Sequence, residues 1–354
     1  MRNSNESRLA ELREALQARP RVSLANLPTP LEPCPGLTRE LGGPQIWVKR
    51  DDLTGLATGG NKTRMFEYVL GQAIEDGVDT VVGGAAVQSN YCRQLAAACA
   101  KLGLDCHLLL RKVRAERDDE IQGGLLLDLL VGAKVETIEG VSWAEHGERI
   151  RKRAQELEAR GKRVYIGRVG DESRLGRYAV AYTQAFVELI EQAEEAQLTI
   201  DEVWMSSSDA TQAGLAIAAK HCESPVRLVG LPSLPQPIAP GWTFAECISS
   251  FGNECAEILG LPTRLEPDDI TSIVDYVGPG YGVLTDAART AMQLAGRCDA
   301  LLLDPVYTSK AMAGLIDHVR RGLVAPDHTI VFLHTGGLPA LFAYADSLGL
   351  EALL

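Results

Sequence analysis

Lys62 is the residue around which chemistry can be built. It follows Gly59-Gly60-Asn61 and precedes Thr63-Arg64. Glycines let the backbone come close to a bound group, and a lysine withdrawn from water loses part of its proton affinity. An amine in that state is a nucleophile toward a carbonyl, the starting point of Schiff-base chemistry. The same residues also suit an ordinary surface lysine at a helix start. A second segment, Gln88-Ser89-Asn90, precedes the helical run Tyr91-Cys92-Arg93-Gln94-Leu95-Ala96-Ala97-Ala98. A polar N-cap leaves backbone N–H groups facing outward, and these with the helix dipole can hold a carboxylate; it is also a common helix start.

A third segment is Ser206-Ser207-Ser208-Asp209-Ala210-Thr211-Gln212, after Trp204-Met205. Hydroxyls and N–H groups between a strand and a helix form a cup for phosphate. No Gly-Lys-Ser/Thr follows, so it is not a Walker loop, and it is not GxGxxG. The fourth group is aromatic and hydroxylic: Tyr276 and Tyr281 in DYVGPGYGV, Tyr307 in DPVYTSKAMAGL and Thr335 in HTGGLPALFAY. Tyrosines can hold a carboxylate or move a proton, and each one singly can equally be core packing.

The elements that must position these segments follow from the pattern. Short β-rich runs fall at Thr80–Val82, Cys106–Leu110, Ala133–Ile138, Arg163–Ile166, Glu202–Met205, Val226–Val229, Ile273–Val274, Ala300–Leu303 and Thr329–Leu333. Helical patterns lie between the first four, at Asn90–Leu102, Ile121–Leu130 and Ser142–Ala159, with Gly103 and Gly161 as stop signals. Strands alternating with helices predict α/β architecture with open parallel sheets covered on both faces. Two such three-layer domains fit the length: residues 1–61 and 166–354 build the larger one, and 62–165 the smaller. Open parallel sheets bind ligands beyond the carboxyl ends of their strands, where 83–90, 206–212, 304–310 and 334–337 all fall. One cleft between two sheets would collect all four.

Composition narrows the class. The 354 residues include 34 Gly and 17 Pro, with 46% hydrophobic and 23% charged residues, as in a globular protein. The formal charge of −12 argues against nucleic acid or an anionic membrane as partner. No apolar run reaches the ~20 residues that span a bilayer, and the first twenty residues lack the apolar core of a signal peptide. They read instead as a short amphipathic helix, with Leu9, Leu12 and Leu16 on one face and Pro20 as its stop. None of the eight cysteines forms a CxxC pair or a zinc spacing, so buried thiols and no metal site are expected. The charge-rich stretch Arg111–Glu120 reads as a solvated helix start or loop. A cytoplasmic protein acting on a small molecule fits these features.

Together the segments resemble one family: the pyridoxal-phosphate-dependent enzymes of fold type II, related to tryptophan synthase β, that include D-cysteine desulfhydrase and aminocyclopropane-carboxylate deaminase. The matching text is LPTPLEPCPGLTRELGGPQIWVKRDDLTGLATGGNKTR, then QSN, ATQAGL, GYGV, LLLDPVYTSKAMAGLIDHVRRG and HTGGLPALFAY, in order from about residue 26 to 344. The resemblance implies pyridoxal 5'-phosphate bound in the cleft through Lys62, with Asn61 beside it. It implies that Ser89 and the adjoining N–H groups bind the substrate carboxylate, and that Asn90 donates to the cofactor's phenolic oxygen. Ser208, Asp209, Ala210, Thr211 and Gln212 would take the phosphate. Tyr91, Tyr281 and Tyr307 would line the substrate side, with a proton shuttle through the last two. A homodimer is implied as well.

Deaminases of the family carry Glu after the DPVY tyrosine and Leu in an HLGG motif. This chain has Thr308 and Thr335, the desulfhydrase-like pair. Neutral groups near the pyridine nitrogen favour a neutral ring, which suffices for β-elimination. The implied reaction releases pyruvate and ammonia from a β-substituted amino acid, with Lys62 removing the α-proton. D-Cysteine would give sulfide and L-cysteate sulfite. Three departures stand out. The phosphate turn has Asp209-Ala210 where Gly is usual, and a carboxylate there repels phosphate unless it meets a cation. Tyr91 replaces a frequent His. The loop GRVGDESRLGRY adds Arg168, Arg174 and Arg177; these are either solvated or aimed at a second substrate anion. An anionic substrate, or a protein that binds the cofactor without turnover, are the alternatives these departures leave.

Overall fold

The computed structural model describes residues 2–168, 175–237 and 239–350. Two sheets form the frame. The larger is built from β1 (Leu31–Pro33), β2 (Gln45–Lys49), β7 (Glu202–Ser206), β8 (Arg227–Leu231), β9 (Thr271–Ser272) and β10 (Thr329–Leu333). Its order is β1-β2-β10-β7-β8-β9, and only the β1–β2 pair is antiparallel. The smaller sheet has β3 (Thr80–Ala86), β4 (Asp105–Arg111), β5 (Lys134–Ile138) and β6 (Val164–Ile166), all parallel, in the order β5-β4-β3-β6. The central strands β7 and β10 are buried along their whole length. Their near-continuous apolar sequences, Val203-Trp204-Met205 and Ile330-Val331-Phe332-Leu333, are what a strand covered on both faces requires.

The helices that place the site run off strand ends or pack between the sheets. They are α3 (Asn61–Glu75), α4 (Asn90–Leu102), α5 (Gly123–Leu130), α7 (Gly176–Glu195), α8 (Ala210–His221) and α11 (Thr308–Arg320). The first half of α8 is buried on every side, which its small residues Ala210, Ala213, Gly214 and Ala216 permit. A Cβ on Gly214 would stand 2.1 Å from the Ala179 carbonyl of α7, so glycine sets how closely the two helices approach. Leu9, Leu12 and Leu16 are buried on α1 (Arg2–Gln17), the expected N-terminal helix.

Most expected elements stand where the pattern put them; the differences have local causes. The run Ala300–Leu303 is not a strand: Ala300 has a left-handed φ of 53° and Leu302 is exposed. The edge strand lies at Thr271–Ser272, not Ile273–Val274, because Ile273 makes the last bond to the Gly230 carbonyl and Val274 turns out to solvent. Strands β1 and β2 have no counterpart among the expected runs. The stretch Arg111–Glu120 is only partly solvated, since Asp118 is buried and accepts from the Val113 and Arg114 N–H groups at 2.8 Å each. Seven of the eight cysteines are buried and all are free thiols.

Candidate active site

Lys62 sits in the first turn of α3, after four residues with positive φ: Ala57 (45°), Thr58 (70°), Gly59 (75°) and Gly60 (130°). Glycine is required at position 59, where a Cβ would lie 2.0 Å from the Asp52 carbonyl oxygen. The turn is anchored across the cleft. The Asn61 N–H donates to the Thr335 carbonyl at 3.0 Å, and Asn61 Nδ2 donates to Thr211 Oγ1 at 3.1 Å. The Lys62 amine itself makes no hydrogen bond or ion pair to a described residue. Burial lowers its proton affinity, Asp209 opposes the change and Arg168 adds to it, leaving its pKa at about 8. It lines a narrow cavity with Met65, Tyr91, Arg168, Leu175, Tyr178, Asp209 and Ala210.

The turn into α8 faces this amine. Ser207 Oγ accepts from the Gln212 N–H at 3.1 Å, closing the turn, while Ser208 is partly exposed and Thr211 is buried. Gln212 Nε2 donates to the Thr271 carbonyl; its buried Oε1 has no partner and stands where a Cβ on Gly230 would have to go. Asp209, the residue before α8, is buried and does meet a cation: Arg168 Nη2 donates to its Oδ2 at 2.5 Å. Burial works against ionising Asp209, but Arg168 and then Lys62 outweigh it and hold the carboxyl below its ordinary value. Arg168 follows β6 of the small sheet and Asp209 follows β7 of the large one, so the pair spans the cleft. Arg177 is exposed, and Arg174 lies outside the described residues.

The wall opposite is α4. Ser89 caps it, its Oγ accepting the Cys92 N–H at 3.3 Å, and the Asn90 and Tyr91 N–H groups, which donate to no described residue, are left to bind an anion. The Tyr91 hydroxyl accepts the Arg168 backbone N–H at 2.9 Å and lies 3.1 Å from the Tyr178 hydroxyl. Tyr91 therefore fixes the chain that carries Arg168. Tyr281 and Tyr307 meet hydroxyl to hydroxyl at 2.6 Å. Burial raises both, Tyr281 to about 12, so both are neutral donors at physiological pH. Thr308 opens α11, and its hydroxyl both donates to Asp304 Oδ1 at 2.7 Å and accepts the Asp304 N–H at 2.8 Å. Thr335 is buried beside Lys62's turn.

Several residues that shape the site lie within the quoted segments but have no role that residue type and spacing alone assign. Asp304 takes N–H donors from Val306, Tyr307 and Thr308 and so sets Tyr307 at the start of α11. Lys310 donates to the Val277 and Gly280 carbonyls and holds the loop that delivers Tyr281. Arg93 and Gln94 stitch α4 to the segment around Lys62. Their signal was a charged and an amide residue within an otherwise apolar, alanine-rich helix.

A free, desolvated lysine with a hydroxyl-lined helix start across from it, between two open α/β sheets, has the chemistry to take an aldehyde on the amine and an anion at the helix start. The model of the family described as "Pyridoxal-phosphate dependent enzyme" matches residues 22–336, and the chain belongs to that family. D-Cysteine desulfhydrase from Salmonella typhi is 38% identical over 328 residues, covering 92% of this chain and 96% of the relative. The enzyme of that name from Salmonella newport is equally similar. A crystal structure of an aminocyclopropane-carboxylate deaminase homologue superposes with a TM-score of 0.85 at 32% identity, covering 97% of this chain and 99% of the other. Escherichia coli diaminopropionate ammonia lyase shares the fold, with a TM-score of 0.66 at 16% identity over 96% of this chain and 91% of that one. The protein is thus a pyridoxal-phosphate-dependent lyase of fold type II. The residues present fit the cofactor: a free amine, a helix start with hydroxyls, and an Asp209 whose charge is already neutralised by Arg168.

Proposed function

We propose that the protein cleaves the β-carbon–sulfur bond of a small amino acid, D-cysteine first, giving pyruvate, ammonia and sulfide with the uptake of one water. The observation that carries this reading is the unpartnered Lys62 amine, at the point where the 88–91, 208–212 and 335–337 segments converge. Pyridoxal phosphate supplies the electron sink for the carbon from which a proton is removed. Lys62 would carry the cofactor and move the proton between its Nζ and the substrate's α-carbon. Ser89 and the α4 N–H groups would bind the carboxylate, with Tyr91 at the rim of that pocket. The neutral Tyr281–Tyr307 pair would pass a proton to the departing sulfur. Asn90 would donate to the cofactor's phenolic oxygen, and Ser208, Asp209, Ala210, Thr211 and Gln212 would surround its phosphate. Thr308 and Thr335, the two neutral residues of the desulfhydrase-like pair, would stand near the ring nitrogen, where neutral groups favour a neutral ring; the Thr308 hydroxyl is already bonded to Asp304.

A second reading, a sulfo-lyase acting on L-cysteate or another anionic β-substituted alanine, is favoured by Arg168, whose guanidinium reaches the cavity. The Arg168–Asp209 pair also weighs against a protein that binds the cofactor without turnover, since it removes the repulsion Asp209 would otherwise create. We also infer a cytoplasmic homodimer with a small amino acid as its substrate and domains at 1–61, 62–165 and 166–354. The exposed Ile121, Leu126, Leu129 and Leu130 on and before α5 support a protein partner. Among the described residues no helix is long and apolar enough to cross a membrane. The test is product release from D-cysteine and L-cysteate side by side. Pyruvate with sulfide from D-cysteine supports the first reading. Pyruvate with sulfite from L-cysteate supports the second. Neither product from fully loaded protein would defeat both.

A further inference from the structure

Arg93 is among the largest fully buried side chains, yet it carries a charge and sits on the α4 face turned toward Lys62's turn. Its Nη1 donates to the Ala57 carbonyl and its Nη2 to the Gly59 carbonyl at 3.0 Å. The same Nη2 lies 3.3 Å from Asn90 Oδ1. Its Nε has no partner among the described residues, and the Asp128 carboxyl on α5, also without a hydrogen bond and raised to about 8 by burial, is the acidic group that acts on it electrostatically.

The segment Arg93 grips is under strain. Four successive residues have positive φ, and Ala57 and Thr58 are not glycine. Such backbone persists only where its surroundings over-determine it. Thr54 holds one end: its hydroxyl accepts the Gly60 N–H at 2.7 Å and donates to the Gly60 carbonyl at 2.9 Å. Gln94 holds the far side of the lysine, its Oε1 accepting from the Thr63 N–H at 2.8 Å and the Thr63 hydroxyl at 2.9 Å. Arg93 supplies the remaining bonds, to the two carbonyls that no turn of helix satisfies. Its contact to Asn90 Oδ1 also fixes which end of that amide is which. The oxygen is held by the guanidinium, and Nδ2, which donates to no described residue, is left as the donor.

We propose that Arg93 is a positioning residue that sets, through one buried guanidinium, both the approach of the Lys62 amine and the orientation of the Asn90 amide. This rests on the reading that Lys62 carries the cofactor. The planar fork matters, because an ammonium cannot reach the Ala57 and Gly59 carbonyls and Asn90 together. Arg93 thus couples the group that bonds the cofactor to the group that tunes its phenolic oxygen.

The test compares Arg93→Lys, Arg93→Gln, Asn90→Ala, Asp128→Asn and the Arg93→Lys/Asn90→Ala double variant. Each is loaded with pyridoxal phosphate and read by the visible absorption band, the pH midpoint of that band, uptake rate and melting temperature. A misplacement of about 1 Å costs up to about 100-fold, so uptake by Arg93→Lys should slow by about 10–100-fold. Its band should shift in the direction seen in Asn90→Ala, and the double variant should shift no further than either alone. Asp128→Asn, which leaves the loop bonds in place, should keep the wild-type band. Arg93→Lys retains the positive charge that acts on Asp128 and carries the test should Arg93→Gln fail to accumulate. Should both fail, exchange protection of the 57–60 amides equal in wild type and Asn90→Ala supports the loop clamp, and loss of protection in Asn90→Ala overturns it. An Arg93→Lys protein with wild-type band, midpoint and uptake, whatever its melting temperature, would overturn the proposal. Failure of the underlying reading looks different: the cofactor would remain covalently bound in Lys62→Ala.

Discussion

Lys49, at the end of β2, and Lys62, in the first turn of α3, both lose proton affinity to desolvation, yet only one is free to react. Lys49 is 2% exposed and donates to the Thr29 carbonyl, Glu188 and Gln192. Around it Arg64 bonds Asp51 and Glu188, and the Tyr182 hydroxyl donates to Asp51 at 2.6 Å. Despite burial, Arg64 and Lys49 hold the Glu188 carboxyl at about 2. Every charge in this network has its counter-charge. Lys62 has none in contact, and the nearest pair, Arg168–Asp209, is bonded to itself. Desolvation lowers both lysines, but only the unpaired one turns that cost into nucleophilicity. The Lys49 network ties β2, α3 and α7 together; the surroundings of Lys62 are where a ligand can still change the electrostatics.

The contrast can be broken from either side. Lys62→Ala should abolish covalent cofactor and turnover altogether. Its melting temperature should move by no more than about 2–4 °C, the size of a 1 kcal/mol effect. Arg64→Met should do the reverse, costing about 3–5 kcal/mol by stranding Asp51 without a counter-charge and leaving Glu188 with Lys49 alone; chemical denaturation showing under about 1 kcal/mol would mean the network is not what holds α3. Between these lie the cleft-spanning residues. Arg168→Gln should weaken pyridoxal-phosphate binding, because it leaves the Asp209 carboxylate unpaired beside the phosphate site, and Asp209→Gly should tighten it. Titration of the double variant should reveal a coupling of about 1–3 kcal/mol; strict additivity would show that the pair plays no part in cofactor binding. The smallest effect is on pH. The attacking amine must be neutral, so cofactor uptake by the free protein should rise with pH and level off above about 8. A midpoint at the ordinary lysine value of 10.5 would contradict the desolvated setting.

Much of this was legible in the chain itself. Residues 90–102 and 329–333 form the helix and strand their patterns predict, because apolar periodicity and glycine stops act locally. Lys62, Ser89, Tyr281 and Tyr307 were singled out by residue type and neighbours. What pattern could not supply was pairing between distant segments. Asp209 reads as repulsive in isolation, and its partner Arg168 lies 41 positions away. Arg93 reads as one polar residue in an alanine-rich helix, until folding brings the Ala57 and Gly59 carbonyls to it. The stretch 300–303 looks like a strand in composition but has no neighbour to pair with, and edge position is decided by the whole sheet.

The claim on which the rest depends is that Lys62, rather than either of the fully buried lysines Lys49 and Lys310, bears the cofactor. Borohydride reduction of the loaded protein fixes pyridoxal phosphate to whichever amine holds it, and peptide mass mapping then locates it. The account predicts the label on the peptide containing Lys62, with none on Lys49 or on Lys310, whose amine is already bonded to the Val277 and Gly280 carbonyls. Label on either of those lysines, with Lys62 unmodified, would contradict it.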